Sequence, residues 1–275
     1  MPRSSGDFGM MKLGKFGIWI ASLAAIVGSG VAGAADFTAR QVTETLFHRD
    51  ASAAPADFHG KDLSFLDLAG LDFHDAELSG VNFYGADLSN ASLRGARLAG
   101  ARLDASKLTR TDLSDADLHG ATLLSIMVFS TIEPNSLDAP NFANANLRGA
   151  HIAARLDGAN FRHADLSSAR LGQLIATWGS YRPRAVFNGA DFSDANLSGA
   201  DLSKAVLQFT HFVKANLTRA NLADCDLTKA DFSGANFSGA DLTGADFDGA
   251  ILSGATGLET AMGISTAKNL DRAVR

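Results

Sequence analysis

A period of five constrains this chain more than any other feature. From Phe58 to Leu123 a large apolar residue stands at every fifth position, fourteen times without a miss: Phe58, Leu63, Leu68, Phe73 and so on. A second unbroken series of fourteen runs from Phe187 to Leu252. Neither a helix with its 3.6-residue turn nor a strand with its two-residue alternation keeps such positions on one face. The chain must turn once per repeat so that each large side chain points inward, and a long array of this kind is a solenoid. The residue two before each large one is small. In the second series it is Ala185, Ala190, Ala195, Ala200 and Ala205, then Thr210, with Cys225 further on. One large and one small inward residue per repeat fill a narrow core. Asp or Asn stands between them, and Ser, Thr, Gly or Asp follows, as tight solvated turns require.

Segments such as Ala200-Asp201-Leu202-Ser203 and Ala235-Asn236-Phe237-Ser238-Gly239 resemble the pentapeptide-repeat family, whose motif is Ala-(Asp/Asn)-Leu-x-x. The resemblance covers most of residues 56–255. It implies an all-β fold, a right-handed quadrilateral β-helix with four repeats per coil. In such a helix Phe192, Phe212 and Phe232, twenty residues apart, form one column of stacked rings in the core. Asn196, Asn216 and Asn236 form an outward amide ladder, and Asp201, Asn221 and Asp241 alternate on the next face. At roughly 4.8 Å per coil, about nine coils make a rod on the order of 40 Å long. No coil offsets its own conformational entropy, so stability comes from neighbours.

The ends and interruptions divide the chain. Residues 1–34 read as a signal peptide: Lys12 and Lys15, an apolar run from Phe16 to Val27, then Ala32-Gly33-Ala34 as a small-x-small cleavage pattern. The run is shorter than the roughly 20 residues needed to span a bilayer, which disfavours the alternative of an uncleaved membrane helix. Translation from Met10 or Met11 is an alternative start. Residues 35–55 read as a capping helix and linker, because Thr38-Ala39-Arg40-Gln41 forms a capping box ahead of Val42, Leu46 and Phe47. Residues 256–275, with Leu258, Ile264 and Leu270 every six residues, read as a looser irregular cap or a dimer contact.

Within 56–255 two stretches break the motif. In 124–141, Val128, Ile132, Leu137 and Phe142 follow Leu123 at spacings of five, four, five and five, which reads as a degenerate coil missing one residue. A one-residue slip separates Ile152 from Leu156. Residues 172–184 abandon the pattern and carry Trp178, Tyr181, Arg182 and Arg184, the aromatic and Arg side chains that anchor interfaces. This loop is the candidate partner-binding site, and it either protrudes or folds over the rod.

Charge is zoned. Residues 36–88 carry three basic and ten acidic residues, net −7; residues 89–186 are net +3 and residues 187–275 net −4. The middle is a basic belt of Arg94, Arg97, Arg102, Arg148, Arg155, Arg162 and Arg170. It suits an anionic envelope component or an acidic end of another copy, although exposed charge of this kind is usually solvated surface.

Catalysis finds no support. The His residues are scattered outward, with His59 and His119 three coils or roughly 14 Å apart on one face, so a metal site is not expected. Each Asp stands alone at a turn without a calcium loop. Cys225 sits where Ala sits elsewhere and reads as core, and a single Cys forms no internal disulfide. No cofactor is expected, and a net charge of −6 offers no general attraction to nucleic acid. The sequence reads as a non-enzymatic structural or protein-interaction module of a bacterial periplasm or exterior. Its partner would be a protein or envelope component, without stable membrane insertion after cleavage, and an end cap could join a homodimer. The alternative, which the resemblance implies, is a DNA-mimicking regulator of a DNA-binding enzyme such as a topoisomerase.

Overall fold

A computed structural model describes residues 35–47, 54–128, 136–172 and 184–275. The proposed signal peptide, Ile132, and Trp178, Tyr181 and Arg182 of the candidate loop lie outside the described residues.

The repeat becomes a ladder of parallel backbone pairings in four columns. In the regular parts each outward residue pairs with the one twenty positions on, as in Asn196↔Asn216↔Asn236 and Asp201↔Asn221↔Asp241. Each step uses two hydrogen bonds. Leu217 N donates to the Asn236 carbonyl at 2.9 Å, and Asn236 N donates back to the Ala215 carbonyl at 3.0 Å. Four repeats therefore complete one rung. We call the columns A to D after Asp57, Asp62, Asp67 and Asp72, which open them. Column A holds ten rungs among the described residues, Asp57 to Thr256, or roughly 43 Å at strand spacing.

Between columns the chain makes four-residue turns. Ala220 N donates to the Leu217 carbonyl at 3.0 Å, and Arg219 between them has φ +57°. The outward Asp or Asn steadies each turn: Asn216 Oδ1 accepts from the Thr218 N at 3.1 Å and its Oγ1 at 2.6 Å. This explains the residue types that the repeat selects outside its two apolar positions.

Those apolar positions make the core. The large inward residues from Phe58 to Leu123 and from Phe187 to Leu242 are fully buried. Phe142, Phe161, Phe192, Phe212 and Phe232 stack in column D, with centroids 4.6–5.2 Å apart and planes within 7°. Where a polar group takes the small inward position it donates to a backbone carbonyl: Thr111 Oγ1 to Leu88, Thr210 Oγ1 to Phe187, Cys225 Sγ to Leu202. Burial pushes the Cys225 thiol far above its ordinary range.

The first rung is covered. Helix α1 (Ala39–Phe47) starts at a reciprocal capping box, with Thr38 N donating to Gln41 Oε1 at 2.8 Å and Gln41 N to Thr38 Oγ1 at 3.3 Å. Val42 is buried, and the Phe37 ring meets Phe58 edge-on at 5.5 Å. Asp36 pairs with Asp62 through backbone and carboxylate. No helix among the described residues is long and apolar enough to cross a membrane.

Two expectations need correction. Residues 124–141 are not a coil short of one residue. Lys107 pairs with Met127, twenty on, whereas Asp112 pairs with Asn141, twenty-nine on, so nine residues are inserted after Val128. Leu137 is 76% exposed. A short turn at Ser136–Asp138 points it outward and buries Asp138, whose carboxylate takes Arg110 Nη2 at 2.8 Å. The spacing of Leu137 was a coincidence of phase. The C-terminal segment is also more regular than expected. Met262, Lys268 and Val274 continue columns B, C and D at offsets of 21, 22 and 23. Each side grows to six residues by a tight turn, two of them opening on Gly257 and Gly263 at φ +78° and +69°. Only glycine fits at 257, since a Cβ there would lie 2.4 Å from Ser238 N.

The slip after Ile152 is real. Asn141 pairs with Asn160 at an offset of 19, and β1 (Thr122–Leu124) pairs in parallel with β2 (His151–Ala153) just ahead of it.

Candidate interaction face

With the inward positions consumed by the core, chemistry is left to the outward columns, the corners and the insertions. Column C departs most from the Asp/Asn pattern. Its outward residues run Asp67, Asp87, Lys107 and Met127 in one paired series and Arg155, Val186, Val206, Asp226, Asp246 and Lys268 in a second. Met127 is 49% exposed, and Phe209 on the adjoining corner is 51% exposed. The middle of this face thus presents Met127, Val186 and Val206 around Arg155, where other columns carry hydrogen-bonding side chains.

Both insertions open on the edges of this same face. The first interrupts the chain between Val128, which follows Met127 of this column, and Asn141 of column D. Residues 173–183 lie between Arg170 of column B and Val186 of column C, where the offset rises to 31. The ends of the second insertion come to one spot. Gly172 abuts Ser203 so closely that a Cβ would sit 2.7 Å from its carbonyl oxygen, and Arg184 Nε donates to the Lys204 carbonyl at 2.6 Å. Arg184 therefore ties the chain to the next rung where it re-enters column C. A groove of about 440 Å³ runs beside Lys107, Arg110 and Met127 on the other edge.

The basic belt does not form one positive face. Arg97, Arg102 and Lys107 occupy three sides of the third rung, while Arg94, Arg148 and Arg162 stand at corners. Most are paired with carboxylates: Arg97 with Glu77 at 3.5 Å, Arg94 with Asp115 at 3.2 Å, Arg162 with Asp191 at 3.1 Å, and Arg155 with Asp157. Arg102 pairs with Asp104 at 3.0 Å. Lys107 Nζ lies 2.9 Å from Asp87 Oδ2. Arg148 and Arg170 have no ion pair among the described residues.

These pairs appear in the titration of their partners. A hydrogen bond from Ser79, helped by Arg97, holds Glu77 below the ordinary carboxylate range. Burial pushes Asp87 up, but the bonds from Lys107 and Ser89 outweigh it and the net shift is downward. Asp191 is lowered in the same way by Ser193 and Arg162, against burial. Burial, then Arg170, lowers His151. Among the described residues no group of three or more His, Cys, Asp or Glu could hold a metal ion.

The apolar centre of column C escaped the sequence reading. Met127 and Val186 are 59 residues apart, so no count of twenties connects them until the insertions are registered.

Comparison with known proteins places this geometry. The family model for pentapeptide repeats matches in eight copies over residues 56–95, 86–123, 137–173, 184–219 and 215–254, more than half of the chain. Among solved structures, HetL, a pentapeptide repeat protein involved in heterocyst differentiation regulation from the cyanobacterium Nostoc sp. strain PCC 7120, is 29% identical; the match covers 75% of this chain and 91% of HetL at a TM-score of 0.39. Rfr23 from the cyanobacterium Cyanothece 51142 is 27% identical over 44% of this chain and 90% of its own, TM-score 0.29. QnrB1, a plasmid-mediated fluoroquinolone resistance protein, is 18% identical over 66% and 88%, TM-score 0.31. No curated protein matches. The chain belongs to the pentapeptide-repeat family.

Proposed function

We propose that this protein is an exported, non-enzymatic interaction module, a right-handed quadrilateral β-helix that holds one face rigid for a protein or envelope partner. The observation that carries the reading is column C, where outward Met127, Val186 and Val206 replace Asp and Asn between two insertions that open on its edges. Partly exposed aliphatic groups on a stiff scaffold lose little entropy on binding, and aromatic and Arg side chains beside them are the usual anchors. Residues 172–184, with Trp178, Tyr181 and Arg182, supply those anchors, and Arg170 of column B, which has no ion pair among the described residues, adds charge just ahead of them.

Export rests on the amino-terminal pattern of residues 1–34, and a mature chain starting near Ala35 is its expected product. The half-buried Leu258, Ile264 and Leu270 of the last coil make that end the place for a homodimer contact. The DNA-mimic alternative needs a continuous acidic face. Cationic residues at the third rung of columns A, B and C interrupt it, which favours the first reading.

The test is affinity capture from an envelope fraction of the source organism, with wild type beside a variant in which residues 173–183 are replaced by a short Gly-Ser linker. The linker joins ends already pinned at Ser203 and Lys204, so the variant should keep its circular dichroism spectrum and lose the captured partner. A variant that keeps every captured partner removes the loop from the reading.

A further inference from the structure

The corner between columns B and C carries a second surface at its first rungs, away from the apolar middle of column C. At its first rung stands Phe65, with φ +58° and 68% exposed. A bulky residue in the left-handed region is strained, and glycine fills this turn position on the next rung as Gly85, at φ +66°. The Phe65 ring lies against Gly85 so closely that a Cβ there would meet two ring atoms at 2.8 Å. Its edge-to-face neighbour is Tyr84, with centroids 5.3 Å apart and planes at 79°. Arg102 then lies over Tyr84, 4.5 Å from its centroid, held by Asp104. The result is a fixed ridge of Phe65, Tyr84 and Arg102 over three rungs, exposed at the Phe65 end.

The chain shows elsewhere what such a ring receives. Phe209 is a second phenylalanine in the left-handed region, at φ +58°. Twenty residues on stands Lys229, whose ammonium lies 5.2 Å from the Phe209 ring centroid. Twenty residues after Phe65 stands Gly85, which brings no cation. Carboxylates flank Phe65 in sequence, Asp62 in column B and exposed Asp67 in column C; neither has a direct ion pair among the described residues, although Lys107, paired with Asp87, feels the Asp67 charge at longer range. The surrounding zone, residues 36–88, is net −7.

We infer that this corner docks a basic segment of a partner protein, with a Lys or Arg side chain stacked on Phe65 and paired with Asp67. The ring supplies a cation–π contact of the kind Lys229 makes with Phe209, and the carboxylates supply charge complementarity. The strain at Phe65 is retained because glycine would ease the turn but remove the ring.

The test is fluorescence anisotropy with a fluorescein-labelled hexa-arginine peptide, at low and at moderate salt, on full-length protein. Phe65→Gly relieves the backbone and stays folded. It should weaken binding about three- to fivefold, the size of an exposed cation–π contact. Asp67→Asn should weaken it too, and Asp241→Asn, far along column B, should not. Phe65→Asn, which also suits the turn, should match Phe65→Gly. The inference is overturned if hexa-arginine does not bind at low salt, if Phe65→Gly binds as tightly as wild type, or if a hexaglutamate peptide binds in a Phe65-dependent way.

Discussion

Removing one ring from the column D stack measures how this core is held together. Phe212 is fully buried between Phe192, at 5.2 Å and 7°, and Phe232, at 4.9 Å and 3°. Leucine is native to the same column at Leu93, Leu113 and Leu252, so Phe212→Leu keeps the rung. It loses two ring contacts, each worth about 0.5–1.5 kcal/mol, or about 1–3 kcal/mol together. Phe212→Ala adds a cavity that flanking rungs cannot close and should cost about 3–5 kcal/mol. The sharper quantity is coupling. Phe192→Leu combined with Phe212→Leu should show an interaction energy of about 0.5–1.5 kcal/mol, because the two share one contact. Phe58→Leu, rungs away, should add to Phe212→Leu within about 0.5 kcal/mol. The assay is guanidinium unfolding followed by far-ultraviolet circular dichroism, fitted with nearest-neighbour rung terms as suits a solenoid. Equal coupling in the adjacent and the distant pair would refute the ring-stack account.

Two further outcomes follow from local features. Gly257→Ala combines a left-handed φ with a Cβ aimed into the Ser238 backbone, and should destabilise by more than about 1 kcal/mol. Hydrogen exchange should show the loss concentrated in residues 256–274. The folded protein holds Glu77, Asp87, Asp191 and Asp226 below their ordinary carboxylate range. The unfolded chain binds protons more readily there, so this stabilisation is present above a pH of about 4 and is lost as pH falls through the lowered folded values. A denaturation midpoint unchanged between pH 6 and pH 3 would contradict it. His151, lowered by burial and then by Arg170, acts in the same sense at higher pH, its contribution fading as pH falls below about 6.5.

Much of the fold was legible because the repeat states its own geometry. The five-residue period placed every large inward residue of the two regular blocks, and the twenty-residue recurrence placed Phe192, Phe212 and Phe232 in one column. The Thr38–Gln41 box announced α1. What stayed hidden was register across the breaks. Leu137 kept the phase of the core by coincidence, and the Asp112–Asn141 pairing, the exposure of Leu137 and the buried Asp138 carboxylate that takes Arg110 show that the segment turned over. Arg184 looked like a contact residue by type, yet its guanidinium holds the Lys204 carbonyl. The belt looked like a basic surface because net charge by segment does not reveal that Arg97 reaches Glu77, or that Lys107 reaches Asp87, one rung back. Column C could not be read as a face, since Met127, Arg155 and Val186 fall in one column only after nine residues, then minus one, then eleven are discounted from the count.

The most direct test of the contact face is site-specific photo-cross-linking in an envelope fraction of the source organism. A photoreactive residue at Val186 or Val206 in column C should yield a discrete cross-linked species. The same residue at Asn196 or Asn216 in column A, part-exposed like the two valines and on neighbouring rungs, should yield none. Equal cross-linking from both columns, or cross-linking from column A alone, would contradict the claim that column C is the face this protein presents.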